Sequence, residues 1–170
     1  MIFETERLTI RALNFADAVP FFDMMGNPNV MNPIPQKAMT RLESDMVLEK
    51  FTPPQTTDLD KQVWAIVEKE STSFIGLCAF LKNNENDEEI AYRLREQFWG
   101  VGYGTEIAKG LIDFGFSKKR YHKITADVNV DNHNSTKILN KFMSPVREFY
   151  NDDDQCTDRR YELYKEDWLD

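Results

Sequence analysis

Near its middle the chain reads Trp99-Gly100-Val101-Gly102-Tyr103-Gly104-Thr105-Glu106, running straight into the amphipathic stretch Ile107 to Phe116. Glycines at alternate positions let a backbone turn tightly and bring its N–H groups close to an anion. A helix that follows such a turn points its positive end at the same place. The run therefore reads as a phosphate cradle, although glycines at this spacing also permit a close helix crossing. Two nucleotide folds do not fit it. A P-loop ends in Gly-Lys-Ser/Thr, whereas Gly104 is followed by Thr105 and Glu106 with no lysine to reach terminal phosphates. A dinucleotide fold places its glycine turn after the first strand of the domain, whereas this run comes late.

What precedes the run is a meander. Leu8, Ile10 and Ala12 alternate with polar residues as in a half-buried strand. A helix is expected over 15–25, capped by Asn14 with Asp17 in its first turn. Gly26 to Pro35, with three prolines, reads as a loop, and a second helix is expected over 37–51, followed by a loop from Pro53 to Asp60. Three antiparallel strands are expected at 63–68, 74–81 and 88–94, separated by the polar turns Ser71 to Ser73 and Asn83 to Asp87. After the glycine run and its helix, 123–128 alternates as a strand. This makes a strand, helix, strand unit with parallel strands. A helix over 135–142 and two late strands at 146–150 and 159–164 complete an α+β, three-layer reading as one domain over 1–170. Its sheet is mixed and mostly antiparallel, with about 6–7 strands and about four helices.

Composition narrows the partners. The 170 residues include 41% hydrophobic positions, enough for a sizeable core. The longest apolar run, Phe74 to Leu81, is too short to span a bilayer, and the N-terminus carries no basic segment followed by an apolar one. A cytoplasmic protein without a membrane partner is expected. With 21 basic and 29 acidic residues the net charge of -8 argues against nucleic acid and weakly favours cationic substrates. Cys78 and Cys156 are far apart in sequence, so neither a disulfide framework nor a zinc site is indicated. Lys118-Lys119-Arg120 reads either as a solvated helix end or as a contact to phosphates.

Five segments together resemble the GNAT N-acetyltransferases, and within them the RimJ/RimL-like branch that acetylates ribosomal-protein N-termini. They are Glu4-Thr5-Glu6-Arg7-Leu8-Thr9-Ile10-Arg11, Phe74-Ile75-Gly76, Glu89-Ile90-Ala91-Tyr92, Trp99 to Glu106, and Asn132-His133-Asn134-Ser135. The resemblance covers nearly the whole chain. It implies a GNAT fold, acetyl-CoA as cosubstrate without a metal, and an amine acceptor, either a protein N-terminus or a small molecule. It also implies that the backbone amides of Val101, Gly102, Tyr103, Gly104 and Thr105 bind the pyrophosphate of coenzyme A. Asn132 would then hydrogen-bond the pantetheine arm, and Ser135 would lie near the sulfur as a contact or proton donor. A monomer or homodimer is expected.

Acetyl transfer to an amine requires a base, a donor for the tetrahedral oxyanion and a proton for the leaving thiolate. By the same resemblance Glu89 is the base, directly or through water. Read by itself it is a strand glutamate in an acidic run, and an ordinary carboxylate would need burial or a relay to serve an ammonium. Backbone N–H groups of Ile90 or Ala91 could stabilise the oxyanion if the strand splays there. Asn132 is equally a plain helix N-cap. Lys137 and Lys141 reach either phosphates or solvent, and Tyr92, Trp99 and Tyr103 read as packing. Two departures stand out. Leu139 occupies the place where many GNAT members carry a tyrosine, and Lys141-Phe142-Met143-Ser144 replaces a Lys-x-Gly-Phe whose glycine forms a left-handed helix end. These departures also leave open a CoA-binding module without transfer chemistry.

Overall fold

In the computed structural model, residues 1–54 and 60–168 are described. Eight strands form one sheet in the order β1-β2-β3-β4-β5-β6-β8-β7. They are β1 Phe3–Glu4, β2 Leu8–Arg11, β3 Gln62–Glu68, β4 Phe74–Lys82, β5 Glu88–Leu94, β6 Lys123–Asn129, β7 Ser144–Asn151 and β8 Cys156–Tyr164. The helices are α1 Ala18–Met25, α2 Pro28–Met31, α3 Arg41–Phe51, α4 Tyr103–Ser117, α5 His133–Leu139 and α6 Lys165–Trp168. Neighbouring strands run antiparallel except β5 and β6, which are parallel and joined through α4. The expected α+β class and its strand, helix, strand unit are therefore present, with one strand and two short helices more than expected.

Strand alternation divides the core into two layers. Ile90, Ile124, Ala126 and Tyr161 face α4 and α5, and they pack with Ile107, Leu111, Ile112 and Phe116, all fully buried. Each such side chain contributes about 1.5–3 kcal/mol by leaving water. The other face packs Val63, Ala65, Leu77 and Ala79 against Phe21, Met24, Met31 and Leu48 of α1, α2 and α3. Gly76 marks where no side chain fits, since a Cβ there would lie 2.2 Å from the Arg93 carbonyl oxygen. That close approach fixes how β4 supports β5.

Several local readings are corrected. The expected loop Gly26 to Pro35 contains α2, because Asn27 accepts from the Asn29 N–H and Pro28 stands at the first helical position, where a missing N–H costs nothing. The first helix begins as a 3-10 turn, Phe15–Asp17, held by the Asn14/Asp17 capping box. The second starts only at Arg41, where Thr40 and Glu43 form another such box. The stretch Pro53 to Asp60 lies partly outside the described residues. Lys118-Lys119-Arg120 sits at the C-terminal end of α4. That is about 20 Å from the helix N-terminus, so the helix-end reading holds and the phosphate contact does not.

Candidate active site

The parallel pair that α4 connects barely touches. β5 and β6 share the register pair Glu89↔Thr125, whereas β4 and β5 stay paired from Lys82↔Glu88 to Gly76↔Leu94. Beyond Glu89 the two strands diverge and a cleft opens in the sheet. Every second backbone N–H of β5 along this stretch faces the cleft instead of a ladder partner, and so one of the Ile90 and Ala91 amides points into it.

The cleft has two halves of about 690 Å³ each. One is lined by Leu94, Phe98, Trp99, Gly102, Thr105 and Ile138, the other by Glu89, Ala91, Asp127, Asn129, Phe149 and Asp154. Tyr92, Arg93, Asn132 and Ser135 border both. Glu89, Ile90, Ala91, Gly102, Tyr103, Gly104, Thr105, Asn132 and Ser135 line this opening, whereas Val101 does not, and its carbonyl accepts from Arg7.

On the first half, the glycines divide their tasks. Gly100 and Gly102 adopt left-handed conformations with φ of 77° and 89°, and Gly102 is the N-cap of α4. Gly104, expected in the turn, already lies in the helix. It serves close packing, because a Cβ there would come 2.9 Å from Ile138 Cδ1 of α5. Tyr103, Gly104 and Thr105 are the first three helical residues, so their amides have no acceptor one turn back. With the Gly102 amide they form a row of donors at a positive helix end. That row fits a diphosphate. Lys141 reaches the Thr105 hydroxyl at 3.4 Å, and Lys137 lines the same half, which adds positive charge beside it.

Arg7 braces this turn. Its Nε donates to Glu106 Oε2 at 2.7 Å, an Nη donates to the Val101 carbonyl at 2.9 Å, and the guanidinium lies 4.4 Å from the Tyr103 ring centroid. The Tyr103 hydroxyl donates to Glu68 of β3. Tyr103 therefore packs and anchors, as expected, and Trp99 donates its indole N–H to the Leu94 carbonyl at 3.0 Å.

On the second half, burial raises the Glu89 carboxyl to about 7, helped by the nearby Asp127 charge and opposed by the Asp127 backbone N–H and by Arg160. Glu89 is thus not a solvated strand glutamate. Arg160 is almost fully buried and grips Asp127 through two bonds of 2.8 Å, while also donating to Asn84 at 2.7 Å. Asn132 caps α5 by accepting from the Ser135 N–H at 3.3 Å, and its amide nitrogen makes no bond among the described residues. The capping role is realised, and a donor remains at the cleft.

A family model described as "Acetyltransferase (GNAT) domain" matches residues 7–142. The chain belongs to the GNAT acetyltransferases. It is 29% identical to the uncharacterized N-acetyltransferase p20 of Bacillus licheniformis, over 94% of this chain and 91% of that one. It is 24% identical to the uncharacterized N-acetyltransferase YnaD of Bacillus subtilis, over 81% and 78%. A GNAT-family acetyltransferase from Bacillus anthracis superposes with a TM-score of 0.82 at 21% identity, covering 96% of this chain and 98% of that one. Spermidine N-acetyltransferase from Vibrio cholerae, solved with CoA and spermine, superposes with a TM-score of 0.78 at 17% identity, covering 96% and 99%.

This GNAT chain is an acetyl-CoA-dependent N-acetyltransferase. Among the described residues, no helix is long and apolar enough to cross a membrane. Leu139, where many GNAT members carry tyrosine, is buried in the core against α4 and cannot supply a hydroxyl. The helix end after it is also different. Asn140 stays right-handed, and Met143 N–H bonds back to the Leu139 carbonyl at 2.8 Å, so no left-handed residue ends α5. Met143 is buried and Phe142 packs edge-on to Trp168.

Tyr92 is the residue that sequence reasoning missed. Its hydroxyl is buried without a hydrogen-bond partner among the described residues, and it borders both halves of the cleft next to Ser135. Burial raises its pKa, opposed by Ser135, so the phenol stays protonated. Only the splay of β5 from β6 distinguishes it from a packing tyrosine. The strand pattern carried no signal of that splay.

Proposed function

We propose that this chain transfers the acetyl group of acetyl-CoA to a primary amine, a protein N-terminus or a small molecule, by direct attack in a ternary complex. The single observation that carries the reading is the cleft between β5 and β6, with open helix amides on one side and a burial-shifted Glu89 on the other. The resemblance to the RimJ/RimL-like branch supports a protein N-terminus. The likeness to a spermidine acetyltransferase supports a small amine. A single domain working in the cytoplasm, without a metal and as a monomer or homodimer, completes the reading.

The pyrophosphate of CoA lies on the amides from Val101 to Thr105, and the pantetheine arm passes the free Asn132 amide nitrogen. The thioester then sits at Tyr92 and Ser135. The amine enters from the half lined by Glu89, which takes its proton directly or through water. Nitrogen attacks the carbonyl carbon, and the oxyanion rests on the Ile90 or Ala91 N–H. As the tetrahedral intermediate collapses and the C–S bond breaks, a hydroxyl of Ser135 or Tyr92 gives its proton to the thiolate and is replenished by the second proton that the attacking nitrogen sheds, leaving the N-acetylated amine and free CoA.

Thermal stabilisation by CoA, followed by thiol release from acetyl-CoA across peptides, polyamines and amino acids, tests the reading. Stabilisation should follow RT ln(1 + [L]/Kd). Absence of any shift with CoA would sink it. Binding without turnover on any amine would instead favour a CoA-binding module without transfer chemistry.

A further inference from the structure

Among the described residues, Arg93 is a half-buried cation of the cleft wall that pairs with no carboxylate, whereas Lys137 and Lys141 on the other half are exposed. It follows Tyr92 on β5 and shares the face of Glu89 and Ala91, because strand positions two apart point the same way. Arg11, Arg95, Arg159 and Arg160, themselves buried or half-buried, each hold a carboxylate at 2.7–2.9 Å. Arg93 holds none. Its guanidinium meets the Met25 and Met31 sulfurs at 3.0 and 3.3 Å and the Gln36 amide oxygen at 3.2 Å. Thioethers are weak acceptors, and an arginine offers five donors in a planar fork. The donor capacity of Arg93 is therefore largely unspent at the mouth of the cleft, next to Gln36, which lines the acceptor half with it.

Leaving a guanidinium half-buried without an anion is costly, and buried charges are ordinarily paired. A fork of this kind is complementary to a carboxylate or phosphate group.

We propose that the acceptor is a small amine that also carries an oxyanionic group, and that Arg93 recognises that group while the amine is directed to Glu89. The two residues lie about 13 Å apart along β5, with Ala91 between them on the same face. An acceptor positively charged at one end and negatively charged at the other matches that arrangement, including the acidic side chains Asp152 to Asp154 that line the half beyond Glu89. A polyamine would leave Arg93 buried and unpaired, with a second positive charge brought beside it. Burial lowers the Arg93 pKa to about 10, so it remains protonated at neutral pH and available to an anion.

This inference rests on the acetyltransferase reading above, and its failure is separable from the failure of that reading. The purified protein saturated with CoA is titrated with N-acetyl amino acids, their carboxamides, N-acetyl-O-phosphoethanolamine and N-acetylspermidine, reading the melting temperature. Expected is stabilisation by at least one anionic product over its neutral or cationic counterpart, corresponding to a difference in affinity on the order of 10- to 100-fold. The carboxylate and phosphate arms identify which oxyanion it is. In Arg93→Met the preference should collapse toward one, while the melting temperature without product holds or rises because an unpaired charge has left the interior. A CoA shift with no preference for any anionic product overturns this inference alone. So does an anionic preference that survives Arg93→Met. A loss of melting temperature in that variant without ligand would mean that Arg93 serves packing, and would overturn it too.

Discussion

The Arg7 guanidinium donates to the Val101 carbonyl at 2.9 Å, tying a residue at the start of the chain to one 94 positions later in the glycine turn. The same side chain holds Glu106 in the first turn of α4. Both ends of the cradle are thus fixed by a residue that donates nothing to the helix amides themselves. Arg7→Ala should therefore weaken CoA binding without touching the acceptor half. A loss of about 10-fold in CoA affinity is expected, consistent with charge-assisted bonds worth roughly 1.5–3 kcal/mol. Calorimetric titration of CoA into the variant would settle it, and an unchanged Kd would mean that the turn holds its shape alone.

Glu89 makes the pH dependence predictable in sign. With its carboxyl at about 7, the base is ionised only above neutrality, so kcat/KM should rise through pH 7 and level off beyond it. Stability runs the other way. A carboxyl whose folded pKa is raised binds more protons when folded, so its contribution is full below the unfolded value near 4.5 and is lost as pH rises through 7. Glu89→Gln should lose the acidic limb of the rate profile and melt higher than the wild type at pH 8. A rate profile flat between pH 6 and 8 in the wild type would remove Glu89 from the role of base.

Burial sets most of that value, and Arg160 tempers it from behind. It pairs with Asp127 and partly offsets the Asp127 charge felt by Glu89. Arg160→Met leaves Asp127 uncompensated near the floor of the cleft. Expected are a loss of about 3–5 kcal/mol in chemical denaturation and a rate profile whose rise moves above that of the wild type. If the variant folds too poorly to assay, Asp127→Asn removes the neighbouring like charge itself and should move the rise below that of the wild type. A profile that stays put in both would disconnect the pair from Glu89.

Tyr92 and Ser135 are the two hydroxyls at the junction of the cleft halves. Tyr92→Phe deletes a buried hydroxyl that has no partner among the described residues, so the melting temperature should hold or rise slightly while kcat falls on the order of 10²-fold. Ser135→Ala should cost less if Tyr92 is the principal donor, and the double variant should then resemble Tyr92→Phe. Equal melting behaviour with unchanged kcat in Tyr92→Phe would return Tyr92 to the role of packing.

Much of the architecture was legible along the chain because short-range chemistry dictates it. The meander before the glycine run, the strand, helix, strand unit through α4, and the caps at Asn14 and Asn132 all follow from alternation, from glycine and proline placement and from capping side chains. The same rules explain the misreadings. Proline placement suggests that the whole Gly26 to Pro35 segment is broken, but Asn27-Pro28 is also a helix start. Glycine spacing places Gly104 in the turn, but its missing Cβ serves the contact of α4 with Ile138.

Residue order alone is enough to name most of the pieces. The glycine run is identifiable from residue type and spacing, whereas Glu89, Asn132 and Ser135 become candidates through the resemblance to the GNAT family. Which of them lie near each other, and in what medium, follows from the folded arrangement. The splay of β5 from β6 is a property of two strands that meet at Glu89 and Thr125, 36 positions apart in the chain. The burial of Glu89 and the surroundings of Tyr92 and Arg93 depend on side chains from elements far apart in sequence. Dielectric environment and hydrogen-bond satisfaction depend on every neighbour in space, and a linear pattern records only the neighbours in sequence.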